Sequence, residues 1–262
     1  MTGPAPAILA ERLEVRRGGA QVLHSIDLKI SVGDFVGITG PNGGGKSSLF
    51  LALIGELAPS SGSIQVLGAS PRDRSLRGKI GWVAQAASNI PRNLRISVRE
   101  LVGLGIPNTL GFGRHDERLQ RIETALGTVG LLDLAERDIA SLSGGQRQRA
   151  IRGRVLTSDA QLLLLDEPMV GIDREVRFEF LELLDRICHE EGRTLIMITH
   201  DLQAIHQATH RVIHLDRTIR FDGLPRDLPS ATTMIREKGL PNVHDRLLVA
   251  GDVTNIRSME GA

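Results

Sequence analysis

The chain has 262 residues, with 32 Lys+Arg against 31 Asp+Glu, 41% hydrophobic residues and only 3% aromatic ones. A formal net charge of +1 gives no whole-molecule field to draw in a polyanion, and six Phe, one Trp and no Tyr leave few rings on which bases could stack, so composition speaks against nucleic-acid binding. The apolar and charged fractions exclude a disordered chain and call for an aliphatic core in one large domain, or in a domain with a small subdomain and a tail.

The single cysteine, Cys188, forbids an internal disulfide and reads as a small buried hydrophobe on a helix, which suits a reducing compartment. No window approaches ~18 uninterrupted apolar residues, and the first residues lack a basic stretch followed by a long apolar core. A cytoplasmic chain that does not itself span a membrane is expected.

Aliphatic segments alternate with helical patterns, which predicts an α/β layered fold. Ile8 to Val15 and Val22 to Ile30 read as antiparallel strands joined across Arg17, Gly18 and Gly19. A strand from Asp34 to Thr39, a glycine-rich turn and a helix from Lys46 to about Leu57 follow, then short strands at Ser63 to Leu67 and Lys79 to Val83. Residues from about Ala86 to Ala140 carry amphipathic helical patterns around the Gly/Pro-rich break GLGIPNTLGFGRHDE, which predicts an inserted helical subdomain. Next come a helix from about Gly144 to Leu156, a run from Gln161 to Leu165, a helix from Arg174 to Glu191 and a strand from Thr194 to Thr199. Four consecutive leucines without alternation predict a strand buried on both faces, as in parallel sheets. Asp201 to about Leu224 reads as helix, strand, turn, strand, and the polar tail of residues 226–262 receives no function.

Gly40-Pro41-Asn42-Gly43-Gly44-Gly45-Lys46-Ser47 matches G-x-x-x-x-G-K-[ST] between a buried strand and a helix. Triphosphate oxygens must be approached by several backbone N–H groups at once, and β-carbons would block that approach. Lys46 offers a compact cation to the β- and γ-phosphates, Ser47 a hydroxyl ligand to Mg²⁺, and the helix N-terminus its partial positive charge; Ser48 completes the candidate segment. This motif alone says nucleotide phosphate and no more.

Asp166 and Glu167 follow the leucine run, at the strand end where open α/β sheets bind ligands. Asp166 is suited to holding Mg²⁺ through its water shell and Glu167 to orienting or deprotonating an attacking water; the bland alternative is that the pair caps the turn at Pro168. Ser143, Gly144 and Gly145 precede a helix, either as a second anion-binding N-terminus or as an ordinary serine cap.

Gly40 to Ser47, Gln85, Leu142-Ser143-Gly144-Gly145-Gln146, Asp166-Glu167, Gly171-Ile172-Asp173 and His200 stand in an order that resembles the ATP-binding-cassette (ABC) ATPase subunit of a transporter, over about Ile8 to Leu224. The resemblance implies a P-loop NTPase fold: a mostly parallel sheet with helices, an antiparallel β subdomain, and a helical subdomain inserted at about 86–142 of a domain spanning 1–225. It implies ATP and Mg²⁺, with Gln85 ligating Mg²⁺ and linking the γ-phosphate to the helical subdomain, and His200 contacting the γ-phosphate and positioning water. It further implies a head-to-tail dimer in which Ser143 to Gln146 of one copy cover the nucleotide of the other, Asp173 communicating across the interface. The translocation pathway would be a separate integral membrane permease, whose coupling helix docks near Gln85. A substrate-binding protein would act through that permease, and the chain would be peripheral on the inner face of the membrane.

Two departures stand out. The family usually stacks an aromatic ring on adenine from the turn after the first strand; here that turn is Arg16-Arg17-Gly18-Gly19, and the Arg17 guanidinium is the candidate for stacking. Arg152 and Gly153 interrupt the helix after Gln146 where small or apolar residues are usual, with Gly costing about 1 kcal/mol in a helix interior. The strings Ile80 to Gln85, Ile96-Ser97-Val98 with Leu101-Val102, Gly43-Gly44-Gly45, Glu167 to Asp173 and Thr199 to Leu202 look most like the zinc, manganese and iron importer branch. The alternatives are a cassette for lipid or drug export and a non-transport cassette. His206, His210 and His214 are spaced by four, but the last reads as part of a strand, which breaks a shared metal-binding face.

Overall fold

A computed structural model describes residues 5–83, 95–106, 115–170 and 174–228. Two sheets organise them. A three-stranded antiparallel sheet has the order β2-β1-β4, from β1 (Ile8–Arg17), β2 (Ala20–Ile30) and β4 (Pro59–Val66). The larger sheet has six strands in the order β5-β6-β7-β3-β8-β9, built from β3 (Phe35–Thr39), β5 (Ile80–Val83), β6 (Leu162–Asp166), β7 (Thr194–Ile198), β8 (Arg211–Asp216) and β9 (Thr218–Gly223). All its pairings are parallel except β8 with β9.

The leucine run is buried on both faces because it lies between two parallel neighbours. Leu162 and Leu164 face a core shared with β1, β2 and the helix α1 (Lys46–Leu53), while Leu163 and Leu165 face a second core shared with the remaining large helices. Phe35 with Leu195 and Met197 follows one face, and Val36 with Ile196 and Ile198 the other. One central sheet thus separates two aliphatic cores, which is the layered arrangement that covers a parallel sheet.

Helices α2 (Val98–Gly103), α3 (His115–Thr128) and α4 (Gly144–Leu156) pack together, and α5 (Arg174–Glu191) and α6 (Leu202–Ala208) complete the set among the described residues. Serine starts two of them by the same local chemistry. Ser97 and Ser143 each accept the N–H of the residue three further on, and Glu100 and Gln146 reach back to the serine N–H, two closed capping boxes.

Several expected boundaries move. Helix α1 stops at Leu53 rather than about Leu57, because Gly55 takes a left-handed φ of +79° and the amides of Glu56 and Leu57 turn back to the Leu51 carbonyl. Strand β4 begins at Pro59, before its apolar pattern, since pairing with β1 recruits the polar Pro-Ser-Ser-Gly-Ser stretch. The helix expected over about Gly144 to Leu156 is α4, which runs unbroken through Arg152 and Gly153. The helical insert combines α2 and α3 with short 3-10 turns at Leu132–Leu134 and Ile139–Ser141. Parts of its Gly/Pro-rich break, 107–114, and the tail, 229–262, lie outside the described residues. No helix among the described residues is long and apolar enough to cross a membrane.

Candidate active site

Three adjacent parallel strands end at one edge. Ile38 of β3 pairs with Ile198 of β7, and Ile198 pairs with Asp166 of β6. Parallel strands lie roughly 4.8 Å apart, so the loop after Thr39, the Asp166-Glu167 pair and His200 issue side by side.

The loop is held from two sides. Gly40 sits at φ +142°, and a β-carbon there would lie 2.0 Å from the Leu215 carbonyl oxygen, so no side chain fits. The Gly44 carbonyl accepts from the Arg217 N–H at 2.8 Å, and the Arg217 carbonyl accepts from the His24 N–H at 2.8 Å. The β8–β9 turn and strand β2 thereby clasp the loop. Gly45 opens α1 without a side-chain cap, which leaves the first-turn amides of that helix no side-chain acceptor. Lys46 Nζ donates to the carbonyls of Gly40 at 2.7 Å and Pro41 at 2.8 Å. Burial holds its pKa below the usual lysine value, against the opposing pull of Glu167 and Asp166.

Ser47 Oγ lies 3.4 Å from Asp166 Oδ2. Asp166 is buried, and burial followed by the neighbouring Glu167 carboxylate raises its pKa, with Ser47 and Lys46 working the other way. A hydroxyl and a destabilised carboxylate facing each other form a hard-oxygen pair of the kind a divalent cation satisfies.

Glu167 takes a left-handed φ of +50°, unusual for a residue with a side chain, and its N–H donates to the Ile198 carbonyl at 2.9 Å. This brings its Oε1 to 3.0 Å from His200 Nδ1. The Glu167 side chain is only 11% exposed, whereas that of His200 is 78% exposed, so the imidazole projects from the sheet edge with the carboxylate tucked behind it. A carboxylate oriented by an imidazole can take a proton from water.

At the start of α4, Ser143 Oγ accepts the Gln146 N–H at 3.2 Å and Gln146 Oε1 accepts the Ser143 N–H at 2.9 Å. Within one chain, the serine-cap reading therefore holds. The same segment faces outward: Ser143, Gly144 and Gly145 are exposed, and a β-carbon on Gly144 would meet nothing within 4 Å.

The model of the ABC transporter family matches residues 23–170, more than half of the chain. The chain belongs to the ABC transporter family. The zinc uptake ATP-binding protein ZurA of Listeria monocytogenes is 36% identical over 203 residues, 77% of this chain and 79% of that one. The zinc import ATP-binding protein ZnuC of Cereibacter sphaeroides is 34% identical over 224 residues, 86% and 85% of the two chains. Among solved structures, cbiO1 of Clostridium perfringens, part of the ABC transporter complex cbiONQ, aligns with a TM-score of 0.76 at 30% identity over 96% of this chain and all of that one. The dimeric ADP- and phosphate-bound ATP-binding cassette MJ0796 aligns at 0.74 with 26% identity, covering 84% of this chain and all of that one.

In this ABC cassette, Gly40 to Ser48, Asp166, Glu167 and His200 come together at one sheet edge. Arg17 is exposed at the end of β1, beside the two-residue turn Gly18-Gly19. Its hairpin touches the loop through Val22 and Leu23, which lie against Gly45. Gln85, Gly171, Ile172 and Asp173 lie outside the described residues.

The histidine series resolves differently from its spacing. His210 leaves His206 and His214 and stacks edge-on with His189, 4.8 Å between centroids, above the buried Asp185. The Phe35 N–H donates to His210 Nδ1 at 3.3 Å, so the ring proton sits on Nε2, toward Asp185, and neither nitrogen of His210 offers a metal a lone pair in that tautomer. Cys188 is buried, with burial lifting its thiol to about 12, an inert packing residue.

Sequence reasoning missed the supports. Asp201, beside His200, caps α6 through the amides of Gln203 and Ala204 and pairs with Arg177 of α5 at 2.5 Å. Leu215 and Arg217, whose φ is +58°, form the clasp on the loop, a tertiary contact with no local pattern. Arg152 had a readable signal, a charge at a position flanked by the buried Ala150, Ile151 and Val155.

Proposed function

We propose that this ABC cassette binds ATP with Mg²⁺ at Gly40 to Ser48 and hydrolyses it to ADP and phosphate, powering import of a divalent metal ion through a separate membrane permease. The observation that carries the hydrolytic reading is the convergence of Lys46, Ser47, Asp166 and the hydrogen-bonded Glu167–His200 pair at one sheet edge. Zinc as the cargo is supported by the likeness to the zinc uptake and zinc import ATP-binding proteins. A substrate-binding protein delivering that metal is part of the same reading.

Each residue has a part its position supports. The exposed amides of the loop and α1 surround the phosphates, and Lys46 exchanges the Gly40 and Pro41 carbonyls for phosphate oxygens. Ser47 and Asp166, with Gln85, would hold Mg²⁺, which when bound neutralises charge on the β- and γ-phosphates. Glu167, held by His200, accepts a proton from water aligned with the γ-phosphate. Arg17 lays its guanidinium on the base.

The segment Ser143 to Gln146, exposed at its first three residues, covers the nucleotide of a second copy, and opening its capping box frees the serine hydroxyl for that phosphate. Asp173 belongs to the same interface. A cavity of about 510 Å³ is lined by Trp82, Leu101, Leu104, Ile106 and Ile151 among others, and the exposure of Trp82 and Leu104 suits a docking coupling helix of the permease. That contact holds the cassette at the inner membrane face.

The test is Glu167→Gln. Its kcat falls by about 10²–10⁴-fold, the usual worth of a positioned base, while the ATP dissociation constant holds and a dimer accumulates in sedimentation. Turnover near the wild-type rate removes Glu167 from the mechanism. Loss of zinc uptake in cells lacking the chain checks the cargo.

A further inference from the structure

Arg152 is the most deeply buried charge on α4, at 5% exposure. Its Nε–H donates to the Pro168 carbonyl at 2.8 Å, its Nη2 reaches Gln148 Oε1 at 3.5 Å, and its guanidinium carbon lies 5.2 Å from the centre of the Phe180 ring on α5. Among the described residues no carboxylate forms an ion pair with it. Burial, then the nearby Arg149, brings its pKa down to about 10. A buried cation without an acid is a poor way to stabilise a core, because desolvation costs more than a ring and two hydrogen bonds return.

What the side chain holds is more telling. Pro168 immediately follows Glu167 in a tight turn closed by the Val170 N–H on the Glu167 carbonyl at 3.3 Å. The Glu167 N–H fixes one side of that turn to β7, and Met169 is buried beneath it. Arg152 fixes the other side to α4, the helix that begins with Ser143 to Gln146. These two attachments hold the turn that gives Glu167 its left-handed backbone and its 3.0 Å contact with His200.

We infer that Arg152 is a positioning residue that ties the signature helix to the turn aiming Glu167, so that a shift of α4 is felt at the carboxylate that takes the proton of the attacking water. Displacement of that helix when a second copy engages Ser143 then pulls or releases Pro168, and with it Glu167. This rests on the proposed role of Glu167.

The experiment compares the full-length wild type, Arg152→Lys, Arg152→Met and Glu167→Gln for steady-state ATPase rate, ATP affinity and thermal stability. A pinned turn predicts that Arg152→Met lowers kcat by about tenfold to a hundredfold, the range in which small misplacements act, at unchanged ATP affinity. Arg152→Lys recovers part of the rate, because its ammonium can still donate to the Pro168 carbonyl. A packing role predicts the reverse order, since Met fills the apolar site better than Lys. Wild-type turnover in Arg152→Met, or Met outperforming Lys, overturns the inference. If Arg152→Met does not fold, Arg152→Leu, which also lacks a donor for the Pro168 carbonyl, decides: a lowered kcat at unchanged affinity supports the tie, and an unchanged kcat overturns it. An inactive wild type would instead remove the proposed hydrolysis itself, with this inference alongside it.

Discussion

At the residue scale, the site stores unfavourable electrostatics. Asp166 has a pKa raised in the folded state, chiefly by burial and then by Glu167, so its ionised form opposes folding. That penalty is fully present above the folded pKa and disappears below the ordinary pKa of an unfolded aspartate, about 3.9. Asp166→Asn therefore raises Tm at neutral pH in the absence of nucleotide and Mg²⁺, and the gain shrinks as pH falls toward 4, as thermal melts across pH will register. Under the proposed Mg²⁺ role of Asp166, the same change removes the Mg²⁺-dependent rate. Asp166, Glu167 and His200 were legible in sequence because strand ends announce themselves; the left-handed backbone of Glu167 was not, because nothing local forces it and the surrounding contacts do.

At the scale of elements, α4 shows what periodicity can and cannot convey. Its ends, Gly144 and Leu156, follow from the serine cap and the apolar spacing. Gly153, a costly residue for a helix interior, is a contact: a β-carbon there would meet Val102 Cγ2 at 3.0 Å and Val129 Cγ2 at 3.4 Å. Gly153→Ala sets about 1 kcal/mol of helix propensity against that crowding. Gly153→Val has no such compensation and should destabilise by about 1–3 kcal/mol through overpacking against α2, read as a lower midpoint in urea. The six-stranded order was beyond reach of pattern alone, since β3 lies between β7 and β8, each of them far along the chain. The alternation of the two cores across β6 explains why its leucines showed no pattern.

At the scale of the molecule, one chain displays a phosphate loop in a clasped, open-mouthed form and a second helix start that is exposed and internally capped. The proposed pairing of two copies makes a sharp prediction at Gly144, where the monomer has free space. Gly144→Val leaves the melting temperature of the isolated chain within about 1–2 °C, as an uncrowded surface change should. The same substitution, added to Glu167→Gln, abolishes the ATP-dependent dimer in sedimentation. A variant that still dimerises would place the interface elsewhere.

The clasp of Gly44 by Arg217 and of Arg217 by His24 has one last consequence. A glycine-rich loop is costly to order, because glycine surrenders more backbone freedom than any other residue. Here that ordering is complete once β8, β9 and β2 have folded, so an arriving triphosphate meets a preformed mould and keeps nearly all of its contact energy as affinity. The heat and entropy of nucleotide binding then report on contacts and displaced water, with little signature of a loop freezing into place.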